Sequence, residues 1–311
     1  MRIIKLWIVW IFIIGKGFAF DVSICAIFQN EAIYLKEWIE YHLLVGVEHF
    51  YLYNDRSTDH YQKVLAPYVE RGIVDLFNCL PLNEETFFYT QRRAYVRGLN
   101  VARGASKWVA FVDLDEFIVP KKDDTISDML RFYADNLGVM IRWKKFGTSG
   151  YWELPKDKLM IECLTKASSC DDEDNFITKS ILQLSLLPDV FFDEEYVSEH
   201  KLDLVHFCVW EPYDGKKAKN KGPISYNGRV QKRLDTEDAQ INHYWCRSEK
   251  SYREEKVPRK ARLHHEDFGT PYPWPEEKIL KYLNLYNSQT DETIQRFVPA
   301  LKFQLESNCD R

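Results

Sequence analysis

The stretch that most constrains the fold is Lys107-Trp108-Val109-Ala110-Phe111-Val112-Asp113-Leu114-Asp115-Glu116-Phe117-Ile118-Val119-Pro120. From Trp108 to Val112 it is continuously apolar and rich in aromatic and β-branched side chains. A short run of that kind reads as a strand buried on both faces, the environment of a parallel sheet covered by helices. The run ends on Asp113 and Asp115. If the strand continues through them, residues i and i+2 point the same way and both carboxylates converge at one point. That point is the carboxyl edge of the sheet, where ligands of open α/β sheets bind. Two hard oxygen donors there suit Mn²⁺ or Mg²⁺ held jointly with the phosphates of a nucleotide. Side chains projecting from a strand end support no core contact, so neither aspartate is expected to matter for stability. A plain acidic loop also contains such triplets; the position at the end of a buried strand, followed by Glu116 and Phe117, favours the metal-nucleotide reading.

The flanking chain supplies the helices such a sheet needs. Residues 22–28 form an apolar strand ended by Gln29-Asn30-Glu31. Residues 32–45 have helical spacing, with Leu35, Trp38, Ile39, His42 and Leu43 on one side and Gly46 as the stop. A second strand over 47–53 leads into Asn54-Asp55-Arg56-Ser57-Thr58-Asp59, whose side chains can cap a helix reaching residue 69. A third strand follows over 72–77, then a helix over 84–103 carrying Gln91, Arg92, Arg93 and Arg97. This alternation specifies an α/β fold with a doubly wound, mostly parallel central sheet and right-handed crossovers. After Gly150 the periodicity weakens, and a helix reads again over 276–306. The expected organisation is a nucleotide-binding half at 21–120, a less regular acceptor and metal half at 121–262, and a partly helical extension at 263–311.

With 311 residues the chain buries a substantial core, and its 19 Phe, 18 Tyr and 9 Trp suit a carbohydrate-handling groove as well as that core. A formal net charge of −5 leaves no electrostatic footprint for nucleic acid. Arg2 and Lys5 precede an uncharged run over 6–15, and Gly17-Phe18-Ala19 offers a small-x-small cleavage site. Residues 1–20 therefore read as a signal peptide or a short membrane anchor. Either places the protein in the secretory pathway or on a membrane through its N-terminus, with the cytoplasmic face left open. Seven cysteines without a Cys-x-x-Cys pair argue against a zinc cluster. Cys25 reads as a buried thiol, and Cys163 and Cys170 flank a polar loop where they would pair in an oxidising compartment.

Several sequence blocks carry a resemblance. They are Gln29-Asn30-Glu31-Ala32 with Tyr34-Leu35, Glu37-Trp38-Ile39-Glu40-Tyr41-His42, Gly46-Val47, and His49-Phe50-Tyr51-Leu52-Tyr53. Lys107 to Phe117, the segment from Trp143 to Gly150, Lys179-Ser180-Ile181 and Asn242-His243-Tyr244 complete the set. Together they resemble glycosyltransferase family 92, once called domain of unknown function 23, over roughly residues 22–260. That family often has Lys where Gln29 stands and His where Tyr151 stands, departures that bear on donor or acceptor choice. The resemblance implies a GT-A type, Rossmann-like fold. It also implies metal-dependent, inverting transfer of a hexose, galactose in characterised relatives, from a UDP-sugar to a glycan hydroxyl. Nucleotide sugar and glycan acceptor are then the partners, and Mn²⁺ or Mg²⁺ the cofactor.

On this reading a nucleotide lies over the carboxyl ends of the first, second and fourth strands. Asn30, Glu31, Asp113 and Leu114 sit beside it, and Gln91 matches a family glutamine. Asp55 either accepts from the uracil N–H or a ribose hydroxyl, or is a turn and helix-capping aspartate. Asp113 and Asp115 hold the cation, with His243 as a third ligand or else a structural histidine. His264-His265-Glu266-Asp267 is a second ligand-rich run, while Asp171 to Asp174 and Lys216 to Lys221 read as solvated loops. Inversion needs a carboxylate base, for which Glu116, Glu211, Asp238 and Glu153 are all candidates. Trp143, Phe146, Trp152 and Trp210 stack on acceptor sugars or fill the core. Two rivals from other classes remain: a metal-dependent hydrolase or nucleotidyltransferase, and an inactive carbohydrate-binding protein that kept the fold.

Overall fold

The computed structural model describes residues 18–79, 87–199, 202–203, 208–209, 225–259 and 273–307. Strands β1 (Phe20–Phe28), β2 (His49–Asn54), β3 (Val74–Asn78) and β4 (Ser106–Phe111) pair in parallel in the order β3-β2-β1-β4. They are joined by helices α1 (Ala32–Leu44), α2 (Tyr61–Glu70) and α3 (Phe87–Ala102). The side chains of these strands divide between two cores by strict alternation. Val22, Ile24, Ala26, Phe50, Leu52, Trp108 and Ala110 pack with Leu35, Trp38, Ile39, Leu65 and Tyr68 of α1 and α2. Cys25, Ile27, Tyr51, Tyr53, Val109 and Phe111 pack with Ala94, Tyr95, Val96 and Leu99 of α3. Burial on both faces is why these strands are apolar without a break, as read from the sequence.

Two glycines make this packing possible. Gly46 has φ +93°, and its N–H and that of Val47 return to the carbonyls of Leu43 and His42, closing α1 in a left-handed turn. Gly98 lets α3 approach β1, because a Cβ there would lie 2.3 Å from Cys25 Sγ.

Past β4 the sheet changes character. Strands β5 (Glu116–Pro120), β6 (Gly138–Lys145), β7 (Thr178–Gln183), β8 (Lys232–Arg233) and β9 (Ala239–His243) extend it in the order β4-β7-β6-β9-β5, with β8 on β6. β7 is antiparallel to both β4 and β6, and β9 runs parallel to β6 but antiparallel to β5. The first half of the sheet is thus parallel, and the second half is mixed.

The C-terminal segment departs from its expected single helix. It forms α4 (Glu276–Tyr286) and α5 (Val298–Ser307), separated by a short strand, Gln289–Thr290, that pairs with Lys166–Ala167. Asn287 makes the break: its Nδ2 donates to Leu283 O at 2.6 Å and its Oδ1 accepts from Ser149 N at 2.8 Å. Pro299 falls in the first turn of α5, where a missing N–H costs nothing, and it marks the new start. Cys163 and Cys170 are free thiols, one buried and one exposed, so the expected pairing is absent. Residues 1–17, Trp210, Glu211, Lys216 to Lys221 and His264 to Asp267 lie outside the described residues. Among the described residues no helix is long and apolar enough to cross a membrane.

His42 ties α1 to β5. Its Nδ1 lies 2.8 Å from Trp38 O, and its Nε2 accepts from Ile118 N at 3.3 Å. The neutral ring with Nδ1 protonated satisfies both contacts, and burial holds its pKa down at about 3. In the unfolded chain the ring takes a proton below its ordinary pKa of about 6.5, whereas the folded ring does not. Stability from this group is therefore complete above pH 6.5 and drains away as pH falls towards 3. We expect His42→Gln to cost stability at pH 7.5 and the gap to wild type to narrow by about 2 kcal/mol at pH 5. Urea unfolding at the two pH values checks this; a gap that stays constant or widens contradicts it.

Candidate active site

Because β5 and β7 run against their neighbours, five strand ends meet at the carboxyl edge. β4, β6 and β9 arrive by their C-termini, and β5 and β7 by their N-termini. Pairing sets His243 opposite Glu116 on one side and Lys145 on the other. Asp113 and Asp115 do not continue β4 as the sequence reading expected. The strand closes at Phe111, and the chain turns so that Glu116 N donates to Asp113 O at 3.0 Å and Asp113 N donates to Glu116 Oε2 at 2.9 Å. The apolar pattern does not show this turn, since Leu114 within it is itself a core residue.

The turn sends the two aspartates to different partners. Lys179 Nζ lies 2.8 Å from Asp113 Oδ2 and 3.2 Å from Glu116 Oε2. Lys256 Nζ donates to Asp115 Oδ2 at 2.5 Å, and His243 Nε2 lies 3.6 Å from Asp115 Oδ1. Side-chain exposure separates them, 34% for Asp113 against 7% for Asp115. Burial alone would raise the Asp115 pKa, yet Lys256, His243 and Arg247 together hold it far below the usual carboxylate range. Glu116 is fully buried, and burial with the Asp113 and Asp115 carboxylates pushes its pKa up to about 8 against the pull of Lys179. Lys179 resists its own burial because Asp113 and Glu116 raise its pKa above the ordinary lysine value. Burial and the ammonium groups of Lys145, Lys179 and Lys256 keep His243 neutral, with a pKa of about 3 despite Asp115.

Asp115, Glu116 and His243 each offer one ligand atom within 4.8 Å of the others, all three residues buried. Two further facts fit this trio to a divalent cation. Glu116 Oε1 and His243 Nδ1 are buried without a hydrogen-bond partner, which is costly unless something else engages them. Two carboxylate oxygens with a neutral imidazole also form a suitable donor set for Mn²⁺. The trio differs from the set expected from sequence: Glu116 joins it, while Asp113 stands beside it on Lys179.

Asn30, Glu31 and Asp55 lie on two laced loops at the ends of β1 and β2. Asn30 N donates to Ser57 Oγ at 2.9 Å and Asn30 Oδ1 accepts from Thr58 N at 2.8 Å. Asn30 (φ +56°) and Arg56 (φ +55°) take the left-handed conformation, which asparagine tolerates best. Asp55 does not cap the helix; Asp59 does that work, accepting from Tyr61 N, and its other oxygen takes Ala32 N. The buried Asp55 carboxylate instead pairs with exposed Arg56 at 2.9 Å. It stands near a small pocket lined by Tyr53, Cys79, Thr90, Arg93, Ala94 and Arg97. Burial, with Asp55 as the largest neighbouring charge, pushes the Cys79 thiol up to about 12. Gln91 reaches Tyr95 OH at 3.3 Å, and that hydroxyl lies 3.5 Å from Asp113 Oδ1.

Other expected residues fall elsewhere. Asp238 pairs with Lys122 at 2.6 Å just before β9 begins. It is five residues from His243, roughly 17 Å along a strand, and stands outside the cluster. Trp143 packs its ring 4.4 Å from that of His243, and Phe146 is core. Trp152 alone of the described aromatic candidates is largely exposed, at 54%. Three cations of the site had no assigned role in the sequence reading. Lys179 stood only as part of a matching word, and Arg247 and Lys256 gave no signal at all. Arg247 is buried, ion-paired to Glu31 at 2.5 Å, and stacked 3.8 Å over the Tyr34 ring.

A parallel half that presents two laced loops, continued by a mixed half that presents buried carboxylates, defines a GT-A type α/β fold. Residues 19–272 match the model of glycosyltransferase family 92, and the chain belongs to that family. It is 28% identical over 145 residues to a family 92 protein of Oryza sativa subsp. japonica, an alignment covering 44% of this chain and 23% of that protein. It is 24% identical over 186 residues to one of Arabidopsis thaliana, covering 56% of this chain and 32% of that protein. The chain thus spans less than a third of the length of these curated relatives. Among solved structures, S. aureus TarS is similar at 14% identity over 85% of this chain and 42% of TarS, with a TM-score of 0.39. Glucosyl-3-phosphoglycerate synthase from Mycobacterium tuberculosis, solved with Mn²⁺, UDP and glucosyl-3-phosphoglycerate, is similar at 16% identity over 31% of this chain and 34% of that one, with a TM-score of 0.24.

The two aspartates therefore differ in structural weight, against the expectation that neither supports the fold. Removing Asp115 strands the buried Lys256 ammonium, which should cost about 3–5 kcal/mol. Removing half-exposed Asp113 leaves Lys179 paired with Glu116 and should cost about 1 kcal/mol. Urea unfolding of Asp115→Ala and Asp113→Ala in the presence of a chelator compares them. Equal losses would contradict this division.

Proposed function

We propose that this chain is a glycosyltransferase that moves a hexose from a UDP-sugar to a glycan hydroxyl, with galactose the first donor to test and inversion at the anomeric carbon. The observation that carries the reading is the meeting of Asp115, Glu116 and His243 at the strand edge, beside the laced loops of Asn30, Glu31 and Asp55, in a family 92 chain. Asp115, Glu116 and His243 are the residues that would hold a divalent cation, whose chemistry is to act as a Lewis acid on the departing diphosphate. Asp55 offers a buried acceptor at the far end of the shelf, suited to a uracil N–H or a ribose hydroxyl. Asn30 holds the shelf in shape through Ser57 and Thr58. In this reading Glu116 is a cation ligand and not the base: it is enclosed, bound to the Asp113 backbone, and shared with Lys179. Trp152, on the segment whose carbonyl accepts from Lys250 N at 3.0 Å, offers an exposed face for an acceptor sugar ring.

The test is to incubate the purified protein with a panel of nucleotide sugars and Mn²⁺ and to measure UDP release with and without oligosaccharide acceptors. Acceptor-dependent release with one preferred UDP-hexose is the expected result. Release independent of acceptor would point to a hydrolase, and UDP binding without turnover to an inactive binding protein. Within the same scheme, Asp55→Ala should weaken UDP by about 1–3 kcal/mol, the value of a buried hydrogen bond lost to an unsatisfied partner. Calorimetry reads this directly; unchanged UDP affinity would remove Asp55 from the nucleotide site.

A further inference from the structure

The carboxylate most central to the cation trio is already taken. Asp115 Oδ2 accepts from Lys256 Nζ at 2.5 Å, and both side chains are almost completely buried. A divalent cation using Asp115, Glu116 and His243 needs that carboxylate, and a buried ammonium beside it would repel the cation in an environment that screens poorly. Asp113, Asp115 and Glu116 supply at most three negative charges, and Lys179 and Lys256 already return two. Adding a dication with both lysines in place leaves the cluster positive. Removing one lysine restores balance, and Lys256 is the one whose sole described carboxylate contact is a proposed ligand.

The backbone that carries Lys256 is unusual in a way that bears on this. Residues 249–259 are helical, but Tyr252–Lys256 is a π-helical turn, and Lys256 is its last residue. Such turns are rare and concentrate at functional sites. Tightening one to α-helical pairing changes the register by one residue, which rotates the downstream residues by roughly 100° about the axis. The turn therefore gives Lys256 a route away from Asp115 that does not require unfolding the helix.

We propose that Lys256 is the resident counter-ion of the cation site: it neutralises Asp115 until a divalent cation and a nucleoside diphosphate bind together, and then passes from the carboxylate to the diphosphate. This rests on the glycosyl-transfer reading above. Its consequence is coupling. A cation alone meets an occupied carboxylate, whereas with the nucleotide present the ammonium has a second anion to meet. Mn²⁺ and UDP must then tighten each other's binding by the same factor.

The experiment is calorimetry on the full chain with Mn²⁺ as the probe, with and without UDP. In wild type, Mn²⁺ alone should bind weakly and UDP should tighten it about tenfold or more. In Lys256→Met, Mn²⁺ alone should bind about tenfold more tightly than in wild type, and UDP should add less than about threefold. Lys256→Gln, which keeps a hydrogen-bond donor for Asp115, runs beside it in case the apolar variant fails to fold. Thermal unfolding of wild type with Mn²⁺, UDP and both gives a reading free of substitution, in which the joint shift should exceed the sum. Equal Mn²⁺ affinity in wild type and either variant, or additive shifts in wild type, overturns the proposal alone. UDP binding without Mn²⁺ binding in any form overturns the cation reading and this proposal with it, while the nucleotide reading stands.

Discussion

The structure depends on one constraint: two buried acidic side chains, a half-exposed third and two buried lysines meet at the junction of β4 and β5. Isolated charges there would be intolerable, so each is held by an opposite charge or by backbone amides. Asp113 takes Lys179, Asp115 takes Lys256, and Glu116 is shared between Lys179 and the Asp113 N–H. These pairs fix where β7, β9 and residues 249–259 must lie, because each contributes a side chain that cannot withdraw without stranding another. A buried ionic cluster is a poor source of net stability. Its retention at a sheet edge is what a site that handles charge requires.

The strand reversals are the means of assembling it. In an all-parallel sheet only C-terminal strand ends reach the carboxyl edge. By turning β5 and β7 round, this fold brings Glu116 and Lys179 to that edge as the first residues of their strands or close to it. The shelf of laced loops needs no such device, since β1 and β2 already deliver Asn30, Glu31 and Asp55 by their C-termini. The division of the sheet into a parallel half and a mixed half is thus a division between shelf and charge cluster.

Much of this could be read from the sequence where the signal was local. Continuous apolar runs flanked by helical spacing gave the parallel half, because alternation between two cores leaves no polar face. The edge position of the acidic residues followed from the same reasoning. What the sequence hid depends on long-range pairing. The turn at Asp113 looks like strand because Leu114 within it is buried, as are Val112 before it and Phe117 after it. Lys256 meets Asp115 across 141 residues, and no spacing rule links them. Glu116 reads as a base candidate because a carboxylate beside two others invites that role; its complete burial and its contact with Lys179 come from pairing that the local sequence does not show. Asp238 shares a segment with His243 in sequence, yet strand geometry carries the two to opposite ends of β9.

Arg247 joins the two halves into one site. Its guanidinium sits on Glu31 of the shelf and over the Tyr34 ring of α1, while its charge also acts on Asp115 in the cluster. It does this from a left-handed backbone, φ +54°, a conformation that costs a non-glycine residue about 1–3 kcal/mol unless its surroundings enforce it. Here they do: His243 is fixed by β9, Tyr244 N donates to Asp115 O at 2.7 Å, and Ser248 starts the next helix by accepting from Ser251 N. Between those anchors the chain has few residues in which to aim Arg247 at Glu31. The strain therefore sits where shelf and cluster must be held at one separation, so a ligand that spans them meets a gap set by the fold before it arrives.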